Sequence, residues 1–369
     1  MNQPTKTLLI FAYDFPPSTG GISRLCYEIA IGQEAYFNEI VVLTRKKKGQ
    51  YQSEKLTNFK LIELPSQRVK CELKALQVLK SFNLKTTTIL TSLWYPEAFL
   101  AVASGHKNIY SLAHGAELQP GDSKFRKHIW QKLFGRYVLN RIKRVISNSH
   151  FTKNLVEKIA PNVSVEALPL GVDVEQFKPL HIKKSSDQFI ISSLSRIHKF
   201  KGFDQVLEAL CLLPIDIQKR VTWHIGGTGP YLNEFQEKVT DTKVHVEFKG
   251  FIPDQELAEF YNQSHIFVLF TQDIPQQNSV EGFGLVFLEA QSCGIPVLGT
   301  KTGGIPDAIE QGNGGWLLEQ NDVVGLSQHI AKLIDMPEMV KEQSKLARDR
   351  CIKQSSWQTY NQKLSRLLQ

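Results

Sequence analysis

The chain has 369 residues, 42% of them hydrophobic and 22% charged, with a formal net charge of +8. Single cores rarely grow past roughly 250–300 residues, so this length predicts two domains of ordinary size. No run approaches the ~18 consecutive apolar residues of a membrane span, and five scattered cysteines without a CxxC pair read as reduced thiols, not a disulfide scaffold.

The start, "MNQPTKTLLIFAYDFPPSTGG", carries one lysine and a short apolar stretch ending at Asp14 and a proline pair. It reads as a first buried strand and not as a signal peptide. Residues 1–176 hold 24 Lys+Arg against 14 Asp+Glu, so the basic excess lies wholly in the first half. A one-sided field of this kind steers anionic partners such as nucleic acid, anionic lipid or a phosphorylated substrate, unless it is only a solvated surface.

Apolar runs follow in order: "TLLIFAY", "EIVVLT", "FKLIELP", "TTTILTSL", "NIYSLAHG", "RVISNS" and "VSVEALPL". Segments of helical period lie between several of them, at Ile22–Tyr36 and Lys124–Asn140. The polar, proline-containing stretch near 172–188 is the best domain boundary. Beyond it come "FIISSLSR", "RVTWHIGG", "VHVEFKGF", "HIFVLFT", "IPVLGT" and "GGWLLE", with helices predicted at 202–213, 230–239, 254–262 and 285–293. The tail "SWQTYNQKLSRLLQ" is a last amphipathic helix. Short two-sided strands alternating with helices predict an α/β fold of two doubly wound parallel-sheet domains. Ligands of such sheets bind beyond the carboxyl ends of the strands, which places the expected site in a cleft between the domains.

Several stretches carry candidate chemistry. "FPPSTGGIS" puts Gly20 and Gly21 where a strand opens into a helix, a position suited to an anion or to a bare turn. It is not GxGxxG, and the second strand ends in "RKKK" without an acidic residue, which argues against an ordinary NAD site. "SLAHGAEL" sets His114 at a strand's carboxyl end, where it can bond a substrate hydroxyl or be satisfied locally. "SLSRIHKFKG" offers Arg196 and Lys201, a planar fork and a point charge at one strand end, as a diphosphate clamp. "HIGGTGP" is compatible with phosphate or with a tight turn. In "EGFGLVFLEAQSCG" a helix begins near Leu285 behind Gly282, Phe283 and Gly284. Glu281 stands before its start and Glu289 inside it. A glutamate in an apolar helix is costly unless paired or liganded, and a helix N-terminus favours a phosphate.

In this order the motifs resemble those of the group 1 glycosyltransferases, glycosyltransferase family 4, of GT-B fold. The resemblance runs over nearly the whole chain. It includes "FPPSTGG", "HGAE", the interdomain "LPLGVDVEQFKP", "SRIHKFKG", the E-x7-E motif "EGFGLVFLEA" and "GIPVLGTKTGGIPDAI". The texture of "SVEGFGLVFLEA" and "WYPEAFLA" is closest to mannosyltransferases that modify phosphatidyl-inositol lipids.

The resemblance implies a domain over 1–175 that binds acceptor, a nucleotide-sugar domain over 176–350, and a helix over 351–369 that returns to the first domain. It implies a retaining transfer of a hexose from a GDP- or UDP-sugar to an acceptor hydroxyl. Arg196 and Lys201 would bind the diphosphate, Glu289 the ribose, and Glu281 and His114 the sugar. Backbone amides of Phe283, Gly284 and Leu285 would face the sugar or phosphate. Gly20 and Gly21 would let the first domain approach the phosphates, and Gly282 and Phe251 complete the expected donor site. The loop "GFIPD" is expected near the base, guanine or uracil. The chain has no Asp-x-Asp, which fits a clamp without metal, and no cofactor besides the donor is expected. Expected partners are the nucleotide sugar and a glycan or lipid-linked acceptor, not nucleic acid. The basic stretch "KFRKHIWQKLFGRYVLNRIKR" adds peripheral contact with an anionic membrane, or else a solvated helix face. A cytoplasmic protein at the inner face of the cell membrane follows. The alternative enzyme is a nucleotide-sugar epimerase or hydrolase of the same fold.

Overall fold

The computed structural model of the chain describes residues 6–18, 20–47, 59–119, 129–184, 187–274 and 280–369. The chain divides into two compact units, Met1–Pro169 with Trp357–Gln369, and Leu170–Ser356.

The first unit holds seven strands: β1 (Thr7–Phe11), β2 (Glu39–Arg45), β3 (Phe59–Leu64), β4 (Thr87–Thr91), β5 (Ile109–Ala113), β6 (Arg144–Ser147) and β7 (Val165–Ala167). They form one parallel sheet in the order β3-β2-β1-β4-β5-β6-β7. Every residue of β1, β4 and β5 is buried, as expected of strands covered on both faces. The helices are α1 (Gly21–Gly32), α2 (Arg68–Ser81), α3 (Phe99–Ala103) and α4 (His150–Ile159). Ser149 caps α4, its hydroxyl accepting from the Thr152 amide at 3.1 Å. The helix expected over Lys124–Asn140 is a π-helical run at Trp130–Gly135 leading into a short helix at Arg136–Leu139. Residues 124–128 of that segment lie outside the described residues.

The second unit holds β8 (Phe189–Leu194), β9 (Val221–Gly226), β10 (His245–Gly250), β11 (Ile266–Leu269), β12 (Val297–Thr300) and β13 (Gly315–Leu318). Their order is β10-β9-β8-β11-β12-β13, again all parallel. The principal helices are α5 (Phe203–Cys211), α6 (Leu232–Thr240), α7 (Leu257–Asn262), α8 (Leu285–Ser292), α9 (Val323–Asp335) and α10 (Pro337–Gln354). In each sheet the winding direction reverses at the first strand in sequence, β1 or β8, and doubly wound sheets bind ligands at such a reversal, beyond the strands' carboxyl ends.

The last helix, α11 (Trp357–Leu367), belongs to the first unit. Its Asn361 binds α1 closely: the side-chain amide donates to the Glu28 carbonyl at 3.1 Å, and Gln33 donates to the Asn361 carbonyl at 3.0 Å. Two doubly wound parallel-sheet units with a returning C-terminal helix are the architecture the sequence pattern predicts. No helix among the described residues is long and apolar enough to cross a membrane.

Candidate active site

In the second unit the reversal falls between β8 and β11. The loop after β8, Ser195–Lys201, bonds its neighbours closely. The Gln272 amide, beyond β11, donates to the Phe200 carbonyl at 2.7 Å, and the Ile197 amide donates to Thr228 O at 2.9 Å. The glycines of "HIGGTGP" serve this packing. A Cβ at Gly227 would lie 1.9 Å from the Ser195 carbonyl oxygen, and one at Gly229 would lie 2.3 Å from that of Ile197. The turn that sequence reading left open between phosphate and tight turn is thus filled by the neighbouring loop's own backbone.

This loop carries Arg196 and Lys201 as expected. Arg196 is exposed. The Lys201 ammonium is bonded to the Glu281 carboxylate, with 13% and 17% of the two side chains exposed. A buried-edge pair of this kind fixes both long side chains in one geometry. His198 lies near both cations. Burial, then the charges of Arg196 and Lys201, hold its imidazole below the ordinary histidine range. The sequence reading passed over His198, although its position inside "RIHKFK" was a signal.

Glu281 is held from behind by the loop after β12. The Gly304 amide donates to the Glu281 carbonyl at 2.8 Å, and a Cβ on Gly303 would lie 2.3 Å from that oxygen. Gly282, Phe283 and Gly284 then lead into α8, with Phe283 buried and Gly284 as N-cap. The helix start at Leu285 coincides with the expected one. Glu289 lies in α8 among Phe287, Leu288 and Ala290 and is itself buried. Its carboxylate accepts a hydrogen bond from the hydroxyl of Tyr261, a fully buried residue of α7, at 2.8 Å. Tyr261 is the second residue the motif reading missed. Phe251 projects from the loop after β10 with 75% of its surface exposed, so its ring is available to stack on a planar group.

The first unit carries the other expected residues. Gly20 and Gly21 are exposed at the start of α1, and a Cβ at Gly20 would meet no atom within 4 Å. His114 follows β5. Its Nε2 lies 2.9 Å from the Ser92 carbonyl, its amide donates to the Glu117 carboxylate at 2.7 Å, and its carbonyl accepts from the Asn148 side chain at 3.2 Å.

The comparisons with known proteins agree with this architecture. The family "Glycosyl transferases group 1" matches residues 175–350 and "Glycosyltransferase Family 4" matches residues 19–176. A GDP-mannose-dependent alpha-(1-6)-phosphatidylinositol monomannoside mannosyltransferase of Mycolicibacterium smegmatis is 26% identical, over 98% of each chain. A GDP-mannose-dependent monoacylated alpha-(1-6)-phosphatidylinositol monomannoside mannosyltransferase of Corynebacterium glutamicum is 24% identical, over 100% of this chain and 99% of that one. Among solved structures, sucrose-phosphate synthase from Thermosynechococcus elongatus superposes with a TM-score of 0.79 at 17% identity, over 98% of each chain. Two parallel-sheet units of this topology, the first matched by the family 4 model and the second by the group 1 model, identify the chain as a glycosyltransferase of family 4, group 1, with the GT-B fold.

Proposed function

We propose that this glycosyltransferase takes a hexosyl group from a nucleotide diphosphate sugar, with GDP-mannose the first donor to test, and passes it with retention to a hydroxyl of a glycolipid or glycan. The observation that carries the reading is the Lys201–Glu281 pair beside Arg196 at the carboxyl end of β8. It sets two cations and a hydroxyl-binding carboxylate where doubly wound sheets hold ligands. The names of the two mannosyltransferase relatives support GDP-mannose and an inositol glycolipid acceptor.

In this reading Arg196 and Lys201 hold the diphosphate, and Glu281 turns from Lys201 to the sugar's hydroxyls. Glu289 takes the ribose, kept in place by Tyr261. The bond from the anomeric carbon to the phosphate oxygen breaks while that carbon bonds to the acceptor oxygen on the same face. The acceptor's proton passes to the departing phosphate, whose growing charge the two cations stabilise. The protein groups invoked are cations and carboxylates alone, and no metal takes part in the proposal.

Purified protein is tested for binding and slow hydrolysis of a panel of nucleotide sugars, then for transfer to phosphatidylinositol mannoside by mass spectrometry. GDP-mannose is expected to bind most tightly and to be consumed. Binding of none of the panel overturns the donor reading, and an isomerised donor formed without acceptor marks an epimerase instead.

A contact with anionic membrane at the inner face of the cell membrane belongs to the same proposal. Trp130, Leu133 and Tyr137 are exposed, Leu133 by 70%, beside the exposed cations Lys132, Arg136 and Arg141. Apolar side chains rimmed by cations bind anionic interfaces. Leu133→Ser with Trp130→Ser should weaken co-sedimentation with phosphatidylglycerol vesicles by more than about tenfold, given ~0.8 kcal/mol per buried methylene. Equal binding by the double variant overturns this contact.

A further inference from the structure

At the carboxyl ends of β1, β4 and β5 in the first unit, Glu97 is buried to 1% exposure in the turn before α3. Its Oε1 accepts from the Ser92 hydroxyl at 3.2 Å and from the Tyr13 amide at 3.4 Å. Its Oε2 is buried with no hydrogen-bond partner among the described residues. Leaving a carboxylate oxygen in this state is unfavourable, and a local structural need for two weak bonds would be met by a serine or an asparagine.

The partner of Glu97 is what gives the position meaning. Ser92 is held at three points: its amide donates to the Phe11 carbonyl at 2.9 Å, its hydroxyl donates to Glu97, and its carbonyl meets the His114 imidazole Nε2 at 2.9 Å. A carbonyl oxygen can only accept, so Nε2 carries the proton, and in the Nε2–H tautomer Nδ1 is left as an acceptor. The chain Glu97–Ser92–His114 therefore links a buried carboxyl to the form of the imidazole.

We propose that Glu97 is a positioning residue: by clasping Ser92 it holds the Ser92 carbonyl against His114, and so fixes the ring in the Nε2–H form that presents Nδ1 to a substrate hydroxyl. The last step rests on the reading of His114 as a contact of the transferred sugar. Glu97 also titrates where such a device is responsive, since burial pushes its carboxyl up to about 7. The groups that face it are Tyr13 and Asp14 of the loop after β1 and Cys26 of α1, with Cys71 behind Tyr13 and Arg45 over the Tyr13 ring. Asp14 is paired to Lys47 at 2.6 Å, and no cation bonds the Glu97 carboxylate among the described residues.

The test reads the His114 tautomer by long-range proton–nitrogen correlation in protein labelled with nitrogen-15 histidine, the His114 signals being assigned by their loss in H114N. Wild type is expected to show the Nε2–H form alone. Glu97→Ala and Ser92→Ala each release the carbonyl, so exchange-averaged Nδ1 and Nε2 signals should appear, with kcat/KM about tenfold lower, the scale of one lost hydrogen bond. Glu97→Gln keeps an oxygen for Ser92 and Tyr13, and should retain the Nε2–H form. A pure Nε2–H form in both E97A and S92A overturns the proposal, and S92A decides the matter where E97A does not fold. His114→Ala separates the two readings: unchanged turnover in H114A removes His114 from the sugar site, and the tautomer still decides whether Glu97 positions it.

Discussion

Lys201 and Glu281, eighty positions apart, are bonded ammonium to carboxylate at the mouth of the second sheet. Motif reading assigns them to different parts of a donor, one to the diphosphate and one to the sugar. The structure makes them each other's partner first. On the proposed reading, a bound diphosphate would draw the ammonium and free the carboxylate to turn to hydroxyls, and the pair would hold both groups close to their working positions until then. Preorganised charge of this kind is what electrostatic catalysis needs.

Lys201→Ala should therefore lower kcat by about 10²–10³, as removal of one preorganised donor does elsewhere, and Glu281→Ala should do likewise. Because each single change strands the other charge, the double variant should lose less than the product of the two. Steady-state kinetics on one donor checks this as a double-mutant cycle. Full turnover in K201A and E281A would remove the pair from the mechanism, and strictly multiplicative losses would remove the coupling.

Tyr261 gives the second prediction. Its hydroxyl fixes the buried Glu289 carboxylate at 2.8 Å. Tyr261→Phe leaves the ring in the core and removes that bond, so folding should be nearly intact while the carboxylate is held less firmly. A hydrogen bond to a charged group contributes about 1.5–3 kcal/mol, which corresponds to a fall in donor affinity of roughly 10- to 150-fold. Calorimetric titration with the donor and with its 2′-deoxyribose analogue checks it. The variant should bind both nearly alike, whereas undiminished preference for the ribose form would separate Tyr261 from ribose recognition.

These two pairs show where the sequence was legible and where it was not. The strands announced themselves, because parallel strands buried on both faces are short and largely apolar, as in "TLLIF" and "IFVL". The site motifs stood out because Arg196, Lys201, Glu281 and Glu289 are charges beside such runs. Helix α2 escaped notice for the opposite reason, since it buries only Cys71, Ala75 and Leu79 while Val69 and Leu73 face solvent. Long-range partners were the other loss. Nothing local to Tyr261, Gly303 or Glu97 says that they meet Glu289, Glu281 or Tyr13, which lie 28, 22 and 84 positions away. Their types are those of ordinary core and turn positions, and only the topology of each unit brings each to its partner.

Gly303 carries the third prediction. It has φ of +56°, and a methyl there would lie 2.3 Å from the Glu281 carbonyl and 2.8 Å from Val280 Cγ2. Gly303→Ala should push Glu281 away from Lys201, lowering both Tm and kcat/KM. Gly312 provides the control. Its φ is +76°, but a methyl there would meet no atom within 4 Å. Gly312→Ala should lose about 1 kcal/mol of stability from the backbone alone without a matching loss of turnover. If the two variants fall equally in kcat/KM, the close support of Glu281 by the loop after β12 is not what matters for catalysis.

The last prediction concerns pH and the second unit's stability. His265, stacked on Phe189 with ring centroids 4.9 Å apart, accepts the Ile190 amide on Nδ1 at 2.9 Å. That bond requires an unprotonated nitrogen. Burial, then the charge of Lys184, lowers the imidazole to about 4. Lys184 itself is tied to the Ser264 carbonyl next in the chain, so its charge cannot move away when His265 titrates. The unfolded chain, with an ordinary histidine near 6.5, binds more protons than the folded one between these two values. The stability contributed by neutral His265 is thus fully present above about pH 6.5 and is lost as pH falls towards 4. Urea midpoints measured at pH 7 and pH 5 should fall for the wild type and fall distinctly less for His265→Gln, which can still accept the Ile190 amide through its side-chain oxygen but cannot titrate. Parallel falls in both proteins would show that the acid sensitivity of this unit arises from some other group.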